Sequence, residues 1–225
     1  MSVVGSIRAN AEQLLSNLPT GVTLVAAVKG RTLEQVREVI QAGVAHIGHN
    51  YVQEAEAMRP LLLDPVQWHL IGHLQTNKAR KAIELFDIVE TVDSLRLAQE
   101  IDRRCAATGR IMPVLIEVNS GGEEAKSGVA PDALDELVHD LAALTHVRVQ
   151  GLMTMGPRFG DPEDSRPYFR ATRAAFERLA TAGLAHVEMR VLSMGMSNSY
   201  LVAIEEGANM IRLGSRLFEA QGARS

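Results

Sequence analysis

Apolar runs of four to eight residues recur along the chain, and the segments between them place apolar positions at a helical period. The runs predict strands at 23–28, 45–48, 67–71, 87–92, 112–118, 147–154, 188–193 and 209–213. A helical segment stands between each successive pair, as at 33–42 (LEQVREVIQA) and 95–107 (LRLAQEIDRRCAA), and Gly, Asn, Asp or Pro marks most of the changes. Strands such as MPVLIEV and VRVQGLM alternate little, which is the pattern of a parallel sheet covered by helices. Eight such units in 225 residues predict an α/β protein, a single domain over 1–225 folded as a (β/α)8 TIM-like barrel, with an extra N-terminal helix at about 6–17. A doubly wound open sheet is the alternative. The barrel makes a specific demand: polar residues at the C-terminal ends of several strands should converge on one site.

Composition narrows the classes of partner. With 46% hydrophobic residues the chain can bury one large core. A net charge of −4 gives no general attraction to nucleic acid or to anionic membranes, so neither is an expected partner. The one cysteine, Cys105, cannot form an internal disulfide, which fits a reducing compartment and predicts a cytoplasmic location. The segment MSVVGSIRANAEQLLSNLPT carries Glu12 and lacks the continuous apolar core of a signal peptide. No run approaches the roughly 20 apolar residues that span a bilayer.

The predicted strand ends are polar or rich in glycine. Lys29 follows the first, in TLVAAVKG; Gly48, His49 and Asn50 follow the second; Gly72 and His73 follow the third. The fifth ends at Glu117, Val118 and Asn119, the seventh runs into LSMGMSNS (192–199), and the eighth ends in IRLGSRLF (211–218). Ser193, Gly195, Ser197 and Ser199 form a Gly/Ser-rich turn before the amphipathic YLVAIEEGA, where free backbone N–H groups and hydroxyls suit a phosphate. Gly214 and Ser215 can add two donors from the next strand, with Arg212 close by, although such turns are also ordinary N-caps. An amine in a desolvated pocket has a lowered pKa and attacks carbonyls, so a lysine facing a phosphate site suggests a Schiff base to a phosphorylated aldehyde. Pyridoxal phosphate and the sugar phosphate of an aldolase both fit that description.

Other motifs have plainer readings. His69 and His73 stand four apart but lie on a strand and its exit, and with no HExxH pattern no metal site is expected. His73 reads as a pocket liner and His69 as a barrel-core or bottom-face residue. NKARK (77–81) reads as a solvated helix face, and Met153, Met155, Met194 and Met196 as packing near two strand ends. PRFGDPEDSRP (157–167) is the most irregular stretch and a candidate gate. Lys126, in AKSG, lies in the Gly-rich loop after the fifth strand, within reach of an anion at the mouth, without an assigned role.

Taken together, AAVKG (26–30), AGVAHIGHNYVQEA (42–55), WHLIGHLQTNKAR (68–80), TVDSLRLA (91–98), VLIEVNSGGEEAKSGV (114–129), GLMTM (151–155), LSMGMSNS and IRLGSRLFE (211–219) resemble the pyridoxal phosphate homeostasis proteins. These share the fold-type III barrel of the alanine racemase N-terminal domain. The resemblance implies that Lys29 carries the cofactor as an internal aldimine, with Asn50 beside it, Ser197 and the backbone of Gly214 and Ser215 on its phosphate, and Arg212 facing its pyridine nitrogen. A permanent cation there disfavours protonation of that nitrogen and weakens the ring as an electron sink. It implies no established turnover: a monomeric or weakly associating protein that stores pyridoxal phosphate and delivers it to apo-enzymes. Alanine racemase takes its second base, a tyrosine, from a further C-terminal domain, which this chain is expected to lack. The rival is a racemase or lyase on the same cofactor, with His49, His73 or Tyr51 as second acid/base. Two departures from the family pattern stand out. His49 replaces a glutamate expected to support the lysine or its loop, and Asn198-Ser199 replaces a segment that commonly holds an aspartate.

Overall fold

The computed structural model describes residues 6–121, 127–157 and 160–219. Its eight strands are β1 (Thr23–Ala27), β2 (His46–His49), β3 (Gln67–Leu70), β4 (Ile88–Val92), β5 (Met112–Val118), β6 (Val147–Thr154), β7 (Val187–Ser193) and β8 (Met210–Leu213). All pair in parallel and in chain order, and β1 pairs with β8 through Val25 opposite Arg212, so the sheet closes. That closure excludes the open-sheet alternative and establishes the (β/α)8 barrel. No strand boundary moves by more than one residue from its sequence expectation.

The helices before β1 and between the strands lie where the periodicity predicts them, and a short further helix follows β8. They are α1 (Ile7–Asn17), α2 (Leu33–Gln41), α3 (Val52–Met58), α4 (Ala79–Leu85), α5 (Leu95–Ala106), α6 (Leu134–Leu141), α7 (Arg166–Ala180), α8 (Tyr200–Glu205) and α9 (Ser215–Phe218). Local chemistry sets several starts: Ser6 caps α1 by accepting the Ala9 N–H, and Thr32 with Gln35 forms a full capping box on α2. α1 is held by Asn10, a buried side chain whose amide donates to the carbonyls of Leu217 (3.2 Å) and Glu219 (3.3 Å) beyond the last strand.

The weak alternation of the strands has a direct cause, because both faces are buried. Outward residues such as Leu24, Ala26, Ile47, Leu70 and Val114 join one continuous shell under the helices. Inward residues form two small lumen clusters, Val25, Ile71 and Met210 on one side and Ile88, Leu115 and Met153 on the other. Cys105 is buried in α5, and Met153 and Met194 are buried while Met155 reaches solvent.

Two surface expectations are refined. In NKARK, Lys81 pairs with Glu56 at 2.7 Å and Arg80 with Glu84 at 3.4 Å, so two of its three basic residues are matched by acids. Within 157–167, the described residues include a 3-10 turn at Pro162–Ser165, capped by Asp161, and the start of α7. Arg166 there meets Glu163, Glu205 and Glu206 at 2.6 to 2.7 Å, which fastens this segment to the end of α8. Those contacts oppose a freely swinging gate. No helix among the described residues is long and apolar enough to cross a membrane.

Candidate cofactor site

Lys29 stands two residues beyond β1, at the C-terminal mouth of the barrel. The Val28 N–H donates to the Gly48 carbonyl at 3.0 Å, and a turn follows in which the Arg31 N–H reaches the Val28 carbonyl. The amine lies 5.2 Å from the ring centroid of Tyr51, the residue that precedes α3. Both side chains are exposed. A desolvated pocket is therefore not what the protein alone provides at Lys29, because the side chain leaves the sheet above the layer where the strands bury one another. An aromatic face beside the cation replaces that expectation.

Beside β1, the ends of β7 and β8 are tied together. Gly195 adopts φ +90°, and a Cβ there would lie 2.6 Å from the Ala203 side chain, so this turn can form tightly only with glycine. Its reversal brings Ser197 to the end of β8, where its Oγ accepts the N–H groups of Gly214 (3.3 Å) and Arg216 (3.5 Å). The Arg216 side chain donates to the Ser197 carbonyl at 3.1 Å. Gly214 faces β1: a Cβ on it would stand 3.5 Å from the Ala27 carbonyl oxygen. Ser197, Gly214 and Ser215 are thus gathered beside the strand that delivers Lys29. The two hydrogen bonds to Ser197 are long, and a charged acceptor makes shorter and stronger ones. Ser199 is buried and accepts the Met196 N–H at 3.4 Å, so it serves the turn itself.

Arg212 lies below this cradle, inside the lumen and buried. Its Nη1 donates to the Ser193 hydroxyl at 2.6 Å and its Nη2 to the Thr154 carbonyl at 2.9 Å. The Ser193 hydroxyl in turn donates a hydrogen bond to Glu90 Oε2 (2.7 Å), and the other Glu90 oxygen meets His69 Nδ1 at 2.7 Å. His69 Nε2 then meets His46 Nδ1 at 2.9 Å. A hydrogen-bonded chain across β8, β7, β4, β3 and β2 therefore runs through the lumen between the apolar clusters. Burial alone would raise the Glu90 carboxyl, but the bond and charge of His69, the Arg212 charge and the Ser193 hydroxyl together hold it below the usual range. Burial pulls Arg212 below the ordinary arginine value, against the attraction of Glu90 and Glu117. His46 is lowered by burial and by His69. Glu90 escaped the sequence reading although a signal was present, since a carboxylate in the apolar run IVETV must be paired or removed from the core.

The remaining expected residues divide between the mouth and the outer shell. Asn50 follows β2 at the mouth and is half-buried; its backbone packs on Gly72, where a Cβ would lie 2.2 Å from the Asn50 carbonyl oxygen. His73 is at the mouth, exposed and 3.4 Å from Asp93, whereas His69 belongs to the lumen, so the two do not share a face. Among the described residues no group of three or more His, Cys, Asp or Glu side chains could hold a metal ion. His49 departs from expectation. It faces outward, stacked on Trp68 with centroids 5.1 Å apart and planes within 2°, and Phe86 lies 6.3 Å away. Strand alternation sends it away from Lys29, so it neither supports the lysine nor serves as a second base. Lys126 lies outside the described residues.

Comparison with known proteins places the chain in a family. The family described as alanine racemase, N-terminal domain, matches residues 4–221. A protein of Aquifex aeolicus named pyridoxal phosphate homeostasis protein is 42% identical over 199 residues, 87% of this chain and 85% of its own. One of the same name from Pseudomonas aeruginosa is 38% identical over 213 residues, 94% and 90% of the two chains. The solved structure of PipY from Synechococcus elongatus with PLP bound superposes with a TM-score of 0.87 at 35% identity, covering 95% of this chain and all of that one. A barrel whose lysine-bearing strand adjoins a Ser/Gly cradle over a buried arginine, matched along nearly its whole length, belongs to the alanine racemase N-terminal domain family and within it to the pyridoxal phosphate homeostasis proteins.

Proposed function

We propose that this protein binds pyridoxal 5'-phosphate at the barrel mouth as a Schiff base on Lys29, and serves cofactor homeostasis by storing it and delivering it to apo-enzymes. One observation carries the reading: Lys29, the Ser197–Gly214–Ser215 cradle and Arg212 stand on the adjacent ends of β1, β7 and β8. The names of the curated relatives and the PLP-bound PipY structure support the same ligand.

The chain's residues divide the work. Ser197 Oγ with the N–H groups of Gly214 and Ser215 holds the phosphate, and Arg212 faces the ring nitrogen as a fixed cation clamped by Ser193 and Thr154. Asn50 borders the ring and Lys29 supplies the amine. When bound, pyridoxal phosphate supplies an aldehyde that amines capture reversibly. An arginine at the ring nitrogen holds back carbanion chemistry, which favours capture and release over turnover. The protein acts as a cytoplasmic monomer. Incubated with pyridoxal phosphate, it should absorb at about 420 nm and yield a borohydride-trapped adduct on the peptide containing Lys29. Retention of the same adduct at the same stoichiometry by Lys29→Ala would overturn the assignment.

A further inference from the structure

Glu117 is the last lumen-facing residue of β5, one layer above Leu115 and opposite Met153 of the lumen cluster. It is 2% exposed. One oxygen, Oε1, accepts the Ser127 hydroxyl at 2.8 Å; the other, Oε2, is buried and has no hydrogen-bond partner among the described residues. A bare, buried carboxylate oxygen is costly, and taking up a proton removes most of that cost. The surroundings favour the neutral form. Burial is the largest influence and Asp93 beyond β4 adds to it, while Ser127, Arg212 on β8 and His73 beyond β3 oppose it, with the net result that the carboxyl is held above its ordinary range. A neutral carboxyl that accepts through Oε1 has one donor left on Oε2, inside the lumen and below the mouth. A buried polar group without a partner calls for an explanation, and a bound molecule supplies one.

We propose that Glu117 is a ligand-binding residue of this mouth, whose carboxyl donates a hydrogen bond to an oxygen acceptor on the ligand. The proposal rests on the pyridoxal phosphate reading. β5 lies across the barrel from β1 and three strands from β8, so Glu117 faces a part of the ligand remote from the phosphate cradle. With Arg212 assigned to the ring nitrogen, the acceptor left at that end is the ring oxygen beside the aldehyde carbon. Arginine and Glu117 then read the two polar edges of one ring, the first as a cation and the second as a neutral donor.

Equilibrium dialysis of pyridoxal phosphate against wild type, Glu117→Gln and Glu117→Leu over a series of rising pH tests this, with circular dichroism confirming that each variant is folded at each pH. Gln keeps a carbonyl for Ser127 and an N–H₂ donor for the ligand, so it should bind within about twofold of wild type at the acid end, whereas Leu should bind about tenfold more weakly. As the pH rises wild type should lose affinity relative to Gln, because the carboxyl alone gives up its proton. Leu binding as tightly as wild type, or Gln binding as weakly as Leu, would overturn the proposal. If Lys29→Ala loses the adduct while Glu117→Leu keeps full affinity, only the role of Glu117 fails; if wild type does not bind pyridoxal phosphate, both readings fail.

Discussion

His49 and Glu117 are both polar, both buried at strand ends, and face opposite ways. Strand alternation sends Glu117 into the lumen and His49 into the apolar shell, where neither ring nitrogen has a partner among the described residues. Burial therefore lowers His49 from 6.5 to about 4. Above pH 6.5 the ring is neutral folded and unfolded and contributes nothing; below it the unfolded chain takes a proton that the folded chain refuses until about pH 4. Stability should thus fall as the pH drops through this window, by up to about 3 kcal/mol from this residue. Urea unfolding at pH 7 and pH 4.5 should show His49→Phe losing markedly less than wild type on acidification, and equal losses would show that the ring is not buried neutral.

At the level of elements, the lumen chain makes β4, β7 and β8 interdependent. Glu90 is the counter-charge of Arg212, bridged through Ser193, with their nearest charged atoms 3.9 Å apart. Glu90→Leu strands a buried guanidinium and should cost about 3 kcal/mol in urea unfolding, and adding Arg212→Leu should recover more than half of the loss. Additive losses would mean that the two charges do not interact. The β2 and β3 ends are coupled differently, by contact of backbones at Gly72. Gly72→Ala should displace Asn50, lower stability by about 2 kcal/mol and weaken pyridoxal phosphate binding, read by thermal unfolding and dialysis. Neither coupling is visible in a strand taken alone, since each partner comes from another strand.

Across the whole molecule, the buried amide of Asn10 ties α1 to the last element. Asn10 reaches the carbonyls of Leu217 and Glu219, so the segment before β1 closes over the segment after β8. Asn10→Ala should lower stability by about 1 to 2 kcal/mol in thermal unfolding, because it leaves buried carbonyls without a donor. Amide exchange in α1 should quicken in the same variant, and unchanged exchange would separate the helix from this lock.

The eight strands, their helices and the barrel were legible in the sequence because burial of a strand on two faces and of a helix on one imposes a period that survives without tertiary context. Lys29 and the Ser197–Gly214–Ser215 segments were legible for a related reason, since strand ends and glycine-rich turns announce themselves locally. Three things were decided only when the sheet closed. His49, a candidate second acid/base of the rival reading, stacks on Trp68 in the outer shell, as the face of a short strand is set by its register with its neighbours. Lys29 proved exposed, because its environment depends on how far the chain climbs above the last paired residue. Glu90, Ser193, Arg212 and Glu117, spread over more than a hundred residues of chain, became one lumen because a closed parallel sheet converts sequence distance into strand order.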